Sequence, residues 1–447
     1  MKLAPKLIDV VSVPKGVLVE ATHEGEGEKK EIKFKFSLDE KKIVGTFGDE
    51  LKWGSRLVKF LRSNSITEAS VVLNGLNAEK VAIGARLACY RFKKYLTSSE
   101  DKEITIHIVG KEHEAEVNTA NTVCEAVELA RDLGNEPAIS VPPLTFAQVA
   151  KEKLRGLPVE VEVIESDKLL KDGFGGIMAV GKGSSNPPAL LVMKYNGGQG
   201  KPIVLVGKGV VFDSGGLNLK VGGGIRGMYM DKSGAADVVG AVYGAAKLKI
   251  NKNVIGIAPL VENIPSGSAI RPGDIIRMYS GKTVEVANTD AEGRLILADA
   301  ISYGKTFDPQ EIVDLATLTG AQVVALGSKV AAVMGNDDKL ISSLIESGKR
   351  TGELLWQLPL FDLYEDLVKG ERSDIKNISD TGEAGSIVGG TFLKYFAEGT
   401  PWAHIDLAGP AMLNSEWEWM NKGATGFGVR LLLDHLKGRM VFIRGLP

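Results

Sequence analysis

Asp290 and Glu292 are the residues of this chain whose types and spacing most directly suggest chemistry. They lie in the octapeptide Asn288-Thr289-Asp290-Ala291-Glu292-Gly293-Arg294-Leu295. In an extended segment positions i and i+2 point the same way, so both carboxylates can face one point in space. Ala291 and Gly293 leave room for close backbone approach. Two like charges that close are costly unless a cation neutralises them. A divalent metal is the obvious cation. A D-x-E pair by itself is common on solvated loops, so a second segment must carry part of the case.

That segment runs from Val206 to Ala236 and carries Lys208, Asp213, Lys220 and Asp231 among many glycines. Asp213 follows the apolar run Ile203-Val204-Leu205-Val206, which reads as a buried strand. Ligand sites in open α/β sheets gather at the carboxyl ends of such strands. In Leu217-Asn218-Leu219-Lys220, alternation puts the leucines on one face and Lys220 with Asn218 on the other. Asp231 precedes Ser233-Gly234-Ala235-Ala236, which opens an Ala- and Val-rich helix to about Leu248.

The two segments together resemble the leucyl aminopeptidase family of dinuclear metallopeptidases. The matching stretches are the octapeptide and Gly-Lys-Gly-x-x-Phe-Asp-Ser-Gly-Gly at 207–216, with the spacings from Lys208 to Asp213, Lys220 and Asp231. Further likeness lies in Asp314-Leu315-Ala316-Thr317-Leu318-Thr319-Gly320 and in Pro401-Trp402-Ala403-His404-Ile405-Asp406-Leu407-Ala408-Gly409. It covers the chain well from about residue 130 onward and weakly before that.

The resemblance implies an aminopeptidase that releases N-terminal residues, leucine or other apolar ones by preference, from peptides. It implies two divalent metals, with Lys208, Asp213, Asp231 and Glu292 on one and Asp213, Asp290 and Glu292 on the other. Zn²⁺ or Mn²⁺ comes first, with Co²⁺ or Mg²⁺ as alternatives, since a hard oxygen-rich set does not choose among them. Two such cations activate water and polarise the scissile carbonyl together. An ammonium cannot coordinate, so Lys208 would have to give up its proton to a metal. Lys220 is the implied electrophile, a cation on the carbonyl oxygen of the tetrahedral intermediate. Arg294, where a helix is expected to begin, would hold a bicarbonate ion as general base. Read alone, it could equally form a salt bridge to a carboxylate. The backbone of Thr317, Leu318, Thr319 and Gly320 would line the substrate groove. Met228 and the Ala408 region would wall the first-residue pocket, although Met228 alone is equally an ordinary packing methionine. His404 reads as structural. The family's homohexamer is also implied.

The elements that must position these groups follow from pattern and length. A chain of 447 residues suggests two domains. We expect an α/β protein with a smaller N-terminal α/β domain (1–134), a connecting segment with a helix (135–158), and a larger C-terminal catalytic domain (159–447) around a mixed, largely parallel sheet. Strands are expected over 32–36, 42–47, 70–73, 104–109 and 312–315. Helices are expected over 78–96, 115–133 and 144–154. Gly134-Asn135-Glu136-Pro137 marks the first border.

Composition narrows the function classes. A formal charge of −2 gives no bulk pull toward nucleic acid or anionic membrane. Cys89 and Cys124 offer no disulfide framework and are expected to be buried thiols. Met1 to Lys6 has no signal-like apolar core, and no run approaches a membrane span, so a cytoplasmic location is expected. One rival enzyme reading is nucleotide binding at Gly176-Ile177-Met178-Ala179-Val180-Gly181-Lys182-Gly183, where Gly183 stands in place of the Mg²⁺-binding Ser or Thr. A DNA-binding scaffold is the non-enzyme rival. The chain departs from the family pattern at Lys232, usually methionine, and at Asp380-Thr381-Gly382-Glu383-Ala384-Gly385-Ser386, usually Gly-Gly-Arg-x-Ala-Gly-Ala. Both departures bear on pocket shape.

Overall fold

A computed structural model describes residues 8–22, 32–37, 42–46, 48–98 and 102–438. The readings on Met1 to Lys6 and on Phe47 lie outside these. By contacts the chain divides into two compact units, Met1–Glu128 with Leu413–Gly423, and Leu129–Met412 with Ala424–Pro447. The division falls inside the helix Glu114–Asn135, ahead of the Gly-Asn-Glu-Pro break.

The first unit holds a six-stranded sheet in the order Ile8–Val11, Thr105–Val109, Glu68–Val72, Val17–Thr22, Lys42–Thr46, Phe34–Ser37. All neighbours are parallel except the last pair. The helix Glu50–Ser63 was not anticipated; it buries Leu51, Trp53, Leu57, Val58 and Leu61. Its Gly54 is a packing glycine. A Cβ there would meet Val81 O of the neighbouring helix at 2.1 Å. The helix expected over 78–96 stops at Cys89. Asn421 Nδ2 donates to Leu87 O and Tyr90 O, taking carbonyls that a further turn would use. Cys124 is buried and Cys89 half-buried, and neither is in a disulfide.

The second unit is built on a nine-stranded mixed sheet. Eight strands run in the order Leu355–Gln357, Ala331–Gly335, Trp402–Asp406, Glu311–Ala316, Ile203–Gly207, Asn253–Asn263, Ala189–Asn196, Val159–Glu165. The ninth, Gly209–Asp213, pairs with the far half of Asn253–Asn263. The four central strands are parallel. Ala189–Asn196 and Ala331–Gly335 run against them. Ile203, Val204, Leu205 and Val206 are buried, as the apolar run required, because helices cover both faces of a parallel sheet. The helix Ser233–Lys247 is rich in Gly and Ala and is buried nearly throughout, so its backbone lies close to the strands. A Cβ on Gly207 would stand 2.3 Å from Gly234 O. Lys208, Asp213, Thr317 and Leu407 all stand at or just past the carboxyl ends of parallel strands.

Candidate metal centre

Lys208 sits between two glycines where the strand Ile203–Gly207 ends. Its N–H donates to Leu315 O at 3.0 Å and its carbonyl accepts from Ala235 N at 2.8 Å, which locks the backbone. The side chain is buried. Its Nζ lies 2.7 Å from Asp231 Oδ2, 2.9 Å from Glu292 Oε1 and 3.0 Å from Thr317 O. The stem passes over Gly293, where a Cβ would stand 2.5 Å from Lys208 Cε. The small residue after Glu292 therefore makes room for the lysine.

Asp213 ends its strand. Its Oδ1 accepts from Gly215 N at 2.9 Å and from Asn263 Nδ2 at 2.8 Å, and its Oδ2 lies 2.9 Å from Lys220 Nζ. The same ammonium lies 2.5 Å from Asp290 Oδ1. Asp231 accepts from Thr317 Oγ1 at 2.6 Å. Asp213, Asp231 and Glu292 are all buried and offer oxygens within 4.8 Å of one another. Lys208, Asp213, Lys220, Asp231, Asp290 and Glu292 thus converge as two interlocked sets of ion pairs.

Charge crowding shows in the proton affinities. Burial, and then the like charge of Asp213, push the Glu292 carboxyl well above the ordinary range. Asp231 moves the same way through burial, held back by Lys208. Burial alone would lower Lys208, but Asp231, Glu292 and Asp213 together raise it. Lys220 is likewise raised by Asp213 and Asp290 against its burial. As described, both lysines are ammonium ions partnered by carboxylates.

The donor set fits a hard divalent cation. Glu292 Oε2 is buried and has no hydrogen-bond partner among the described residues. An unpaired buried carboxylate oxygen is costly, and the four carboxylates Asp213, Asp231, Asp290 and Glu292 call for more positive charge than the two lysines Lys208 and Lys220 bring. Carboxylate oxygens suit metals of the Mg²⁺, Mn²⁺ and Zn²⁺ kind.

Arg294 begins the helix Gly293–Lys305 and is buried. Its Nη1 donates to Asn377 O at 2.6 Å, while Nε has no partner among the described residues. Burial lowers its pKa to about 10. Met228 is half-buried in the turn Met228–Met230, three residues before Asp231. Thr317 joins the carboxylates directly, through Asp231 and Lys208. Leu318 N and Ala408 N share one acceptor, Asp406 Oδ1, at 3.1 and 3.3 Å. Gly320 is exposed at the start of the helix Gly320–Leu326. His404 is fully buried, its Nδ1 2.6 Å from Asp314 Oδ1.

Several supporting residues escaped the sequence reading. Asn377 accepts from Ala287 N and Asn288 N and donates to Asn288 O, which fixes the loop that presents Asp290. Asn263 ties Asp213 to Thr289 O. A lone Asn gives no spacing signal, so neither was findable from one chain. Asp406 lay inside a quoted motif without an assigned role. Of the departures, Lys232 is buried, with Nζ on Glu136 O at 2.8 Å and on Tyr229 O. Ser386 Oγ meets Thr319 Oγ1 at 2.7 Å.

The nucleotide-loop rival fails on geometry. Gly176 and Gly183 are packing glycines, whose Cβ atoms would meet Leu295 O at 2.4 Å and Ile264 O at 2.2 Å. The stretch forms the short helix Gly175–Gly181, and Ile177 N at its start already donates to Asp299 Oδ2 at 3.0 Å. A phosphate would have to displace that carboxylate.

Comparison with known proteins agrees with this geometry. Residues 128–433 match the catalytic domain of the cytosol aminopeptidase family. A probable cytosol aminopeptidase of Geobacter sp. (strain M21) is 45% identical over 369 residues, 80% of this chain and 75% of the relative. One of Cenarchaeum symbiosum (strain A) is 43% identical over 397 residues, 86% and 81% of the two chains. Among solved structures, the bottromycin maturation enzyme BotP in complex with Mn matches with a TM-score of 0.86 and 31% identity, over 95% of this chain and 99% of that one.

Proposed function

We propose, from the premise that this chain belongs to the cytosol aminopeptidase family and so is a metal-dependent aminopeptidase, that it releases leucine and similar apolar residues from peptide N-termini. The observation that carries this reading is the trio Asp213, Asp231 and Glu292, with a Glu292 Oε2 that has no hydrogen-bond partner among the described residues. Lys208, Asp213, Asp231 and Glu292 would hold one cation, and Asp213, Asp290 and Glu292 the other. Mn²⁺, present in the BotP complex, and Zn²⁺ are the favoured metals, and the oxygen-rich set also admits Co²⁺ or Mg²⁺. When bound, two such cations lower the pKa of water toward ~7 and polarise a carbonyl.

The chain's own residues do the rest. Lys220, kept cationic by Asp213 and Asp290, donates a hydrogen bond to the oxygen on which negative charge develops. Arg294, whose buried Nε lacks a partner among the described residues, is assigned to bicarbonate, the proposed source of a base. The backbone of Thr317, Leu318 and Gly320 orients the peptide, and Met228 and Ala408 shape an apolar pocket. Asp or Glu as the first residue would be buried unpaired and is disfavoured. Among the described residues no helix is long and apolar enough to cross a membrane, and the relatives' names support a cytosolic setting.

A free α-amine is part of the reading, because binding at both the amine and the scissile carbonyl fixes the attack geometry. Leu-p-nitroanilide should be turned over and its N-acetyl derivative should not, under identical metal loading. Comparable turnover of the two would point to an amidase or endopeptidase.

A further inference from the structure

Three segments of the second unit meet at the stretches assigned above to substrate, and one hydroxyl links them. Thr319 Oγ1 lies 2.6 Å from Asp406 Oδ2, 2.7 Å from Ser386 Oγ and 3.2 Å from Gln322 N. A hydroxyl has one proton to give and two lone pairs. The carboxylate can only accept, so Thr319 donates to Asp406. The Gln322 N–H can only donate, so Thr319 accepts from it. Ser386 must then donate to the remaining lone pair. The hydroxyl is fully used, and its three bonds have fixed directions.

The other oxygen of Asp406 joins two backbone stretches. Its Oδ1 accepts from Leu318 N at 3.1 Å, Thr319 N at 3.4 Å and Ala408 N at 3.3 Å. Gln322 repeats the link one step on: its Oε1 accepts from Gly409 N at 2.6 Å and its Nε2 donates to Val330 O at 2.7 Å. Asp406, Gln322 and Ser386 are buried. Two backbone stretches, 317–320 and 407–409, therefore share their acceptors, although nearly ninety residues separate them in the chain. Arg294 stands close by. A Cβ on Gly389 would lie 3.5 Å from both Arg294 Nη2 and Thr319 Cγ2.

We propose that Asp406, Thr319, Gln322 and Ser386 form a hydrogen-bonded frame that positions the two substrate-facing stretches, with Thr319 as its hub and as a positioning residue for the first-residue pocket. The proposal rests on the aminopeptidase reading for its effect on substrate, but the frame itself can be read without turnover. Thr319 does not touch the reacting atoms. Its loss should weaken substrate binding in ground and transition state alike, which raises KM and spares kcat.

The test uses Thr319→Val, which keeps the shape and removes the hydroxyl, and Thr319→Ser, which restores it. For Thr319→Val, KM for Leu-p-nitroanilide should rise about 10-fold or more with kcat within about threefold, and Thr319→Ser should return KM to within about twofold of wild type. Hydrogen exchange gives the second readout. The Leu318, Thr319 and Ala408 amides should lose protection in the Val variant by about 10-fold or more and regain it in the Ser variant. Unchanged protection in Thr319→Val would overturn the frame whatever the substrate. Lost protection with an unchanged KM would overturn its role at the pocket, as would a KM in Thr319→Ser no better than in Thr319→Val. An inactive wild type with intact, hydroxyl-dependent protection would sink the aminopeptidase reading and leave the frame standing.

Discussion

At the scale of single residues, the site depends on small neighbours as much as on charged groups. Glu292 and Lys208 approach because Gly293 carries no side chain. Gly293→Ala would place a methyl against the buried Lys208 stem, whose other side is held by Asp231 and Thr317 O. Activity should fall at least about 10-fold while the helix is not weakened, since alanine is the better helix former by about 1 kcal/mol. Full activity with an unchanged melting point would mean that Lys208 moves freely. Lys220 differs in kind. Lys220→Ala should lower kcat by about 10²–10³ and leave metal stoichiometry unchanged, because an oxyanion donor acts on the transition state. Metal lost along with rate would place Lys220 among the groups that retain the cations. The sequence made the charged residues legible through motif and family resemblance rather than through the extended i, i+2 geometry expected of Asp290 and Glu292, since Ala291 N donates to Asn288 O in a turn and Glu292 already has helical φ and ψ. It could not expose Asn377 or Asn263, whose roles exist only once distant loops meet.

At the scale of elements, the legible parts were those with strong periodicity. The run Ile203 to Val206 became a central strand, and the Ala-rich stretch after Ser233 became a buried helix. Helix ends were less legible, because partners from elsewhere decide them, as Asn421 does at Cys89. Gly54 and Gly176 are sites of close approach between elements. One buried carboxylate shows how elements are joined. Asp299, on the helix Gly293–Lys305, accepts from Ile177 N at 3.0 Å and Tyr279 N at 2.8 Å. Burial raises its pKa to about 7, against the pull of those backbone hydrogen bonds. The folded state thus binds this proton more tightly than the unfolded chain, whose Asp titrates near ~3.9. Its contribution is fully present below about pH 4 and is lost as pH rises to about 7. The melting temperature of wild type minus that of the non-ionising Asp299→Asn should fall across that window. A difference that is flat, or that grows with pH, would show Asp299 ionised at no cost.

At the scale of the whole molecule, the two-unit α/β architecture was legible from length and from alternating strands and helices. The return of Leu413–Gly423 to the first unit was not, because contacts so far apart in sequence leave no local pattern. The proposed homohexamer predicts a sedimentation mass of six chains, and a stable single chain would remove it. The central claim is that this fold brings four carboxylates and Lys208 together to hold two divalent cations for peptide hydrolysis. The most direct measurement strips the purified protein with chelator, then titrates Mn²⁺ or Zn²⁺ while following bound metal and Leu-p-nitroanilide turnover together. The account predicts no activity in the stripped protein, two equivalents bound per chain at full recovery, and fewer than two with activity abolished in Asp213→Ala. Turnover that survives complete metal removal, or an Asp213→Ala variant that binds two equivalents and works normally, would contradict it.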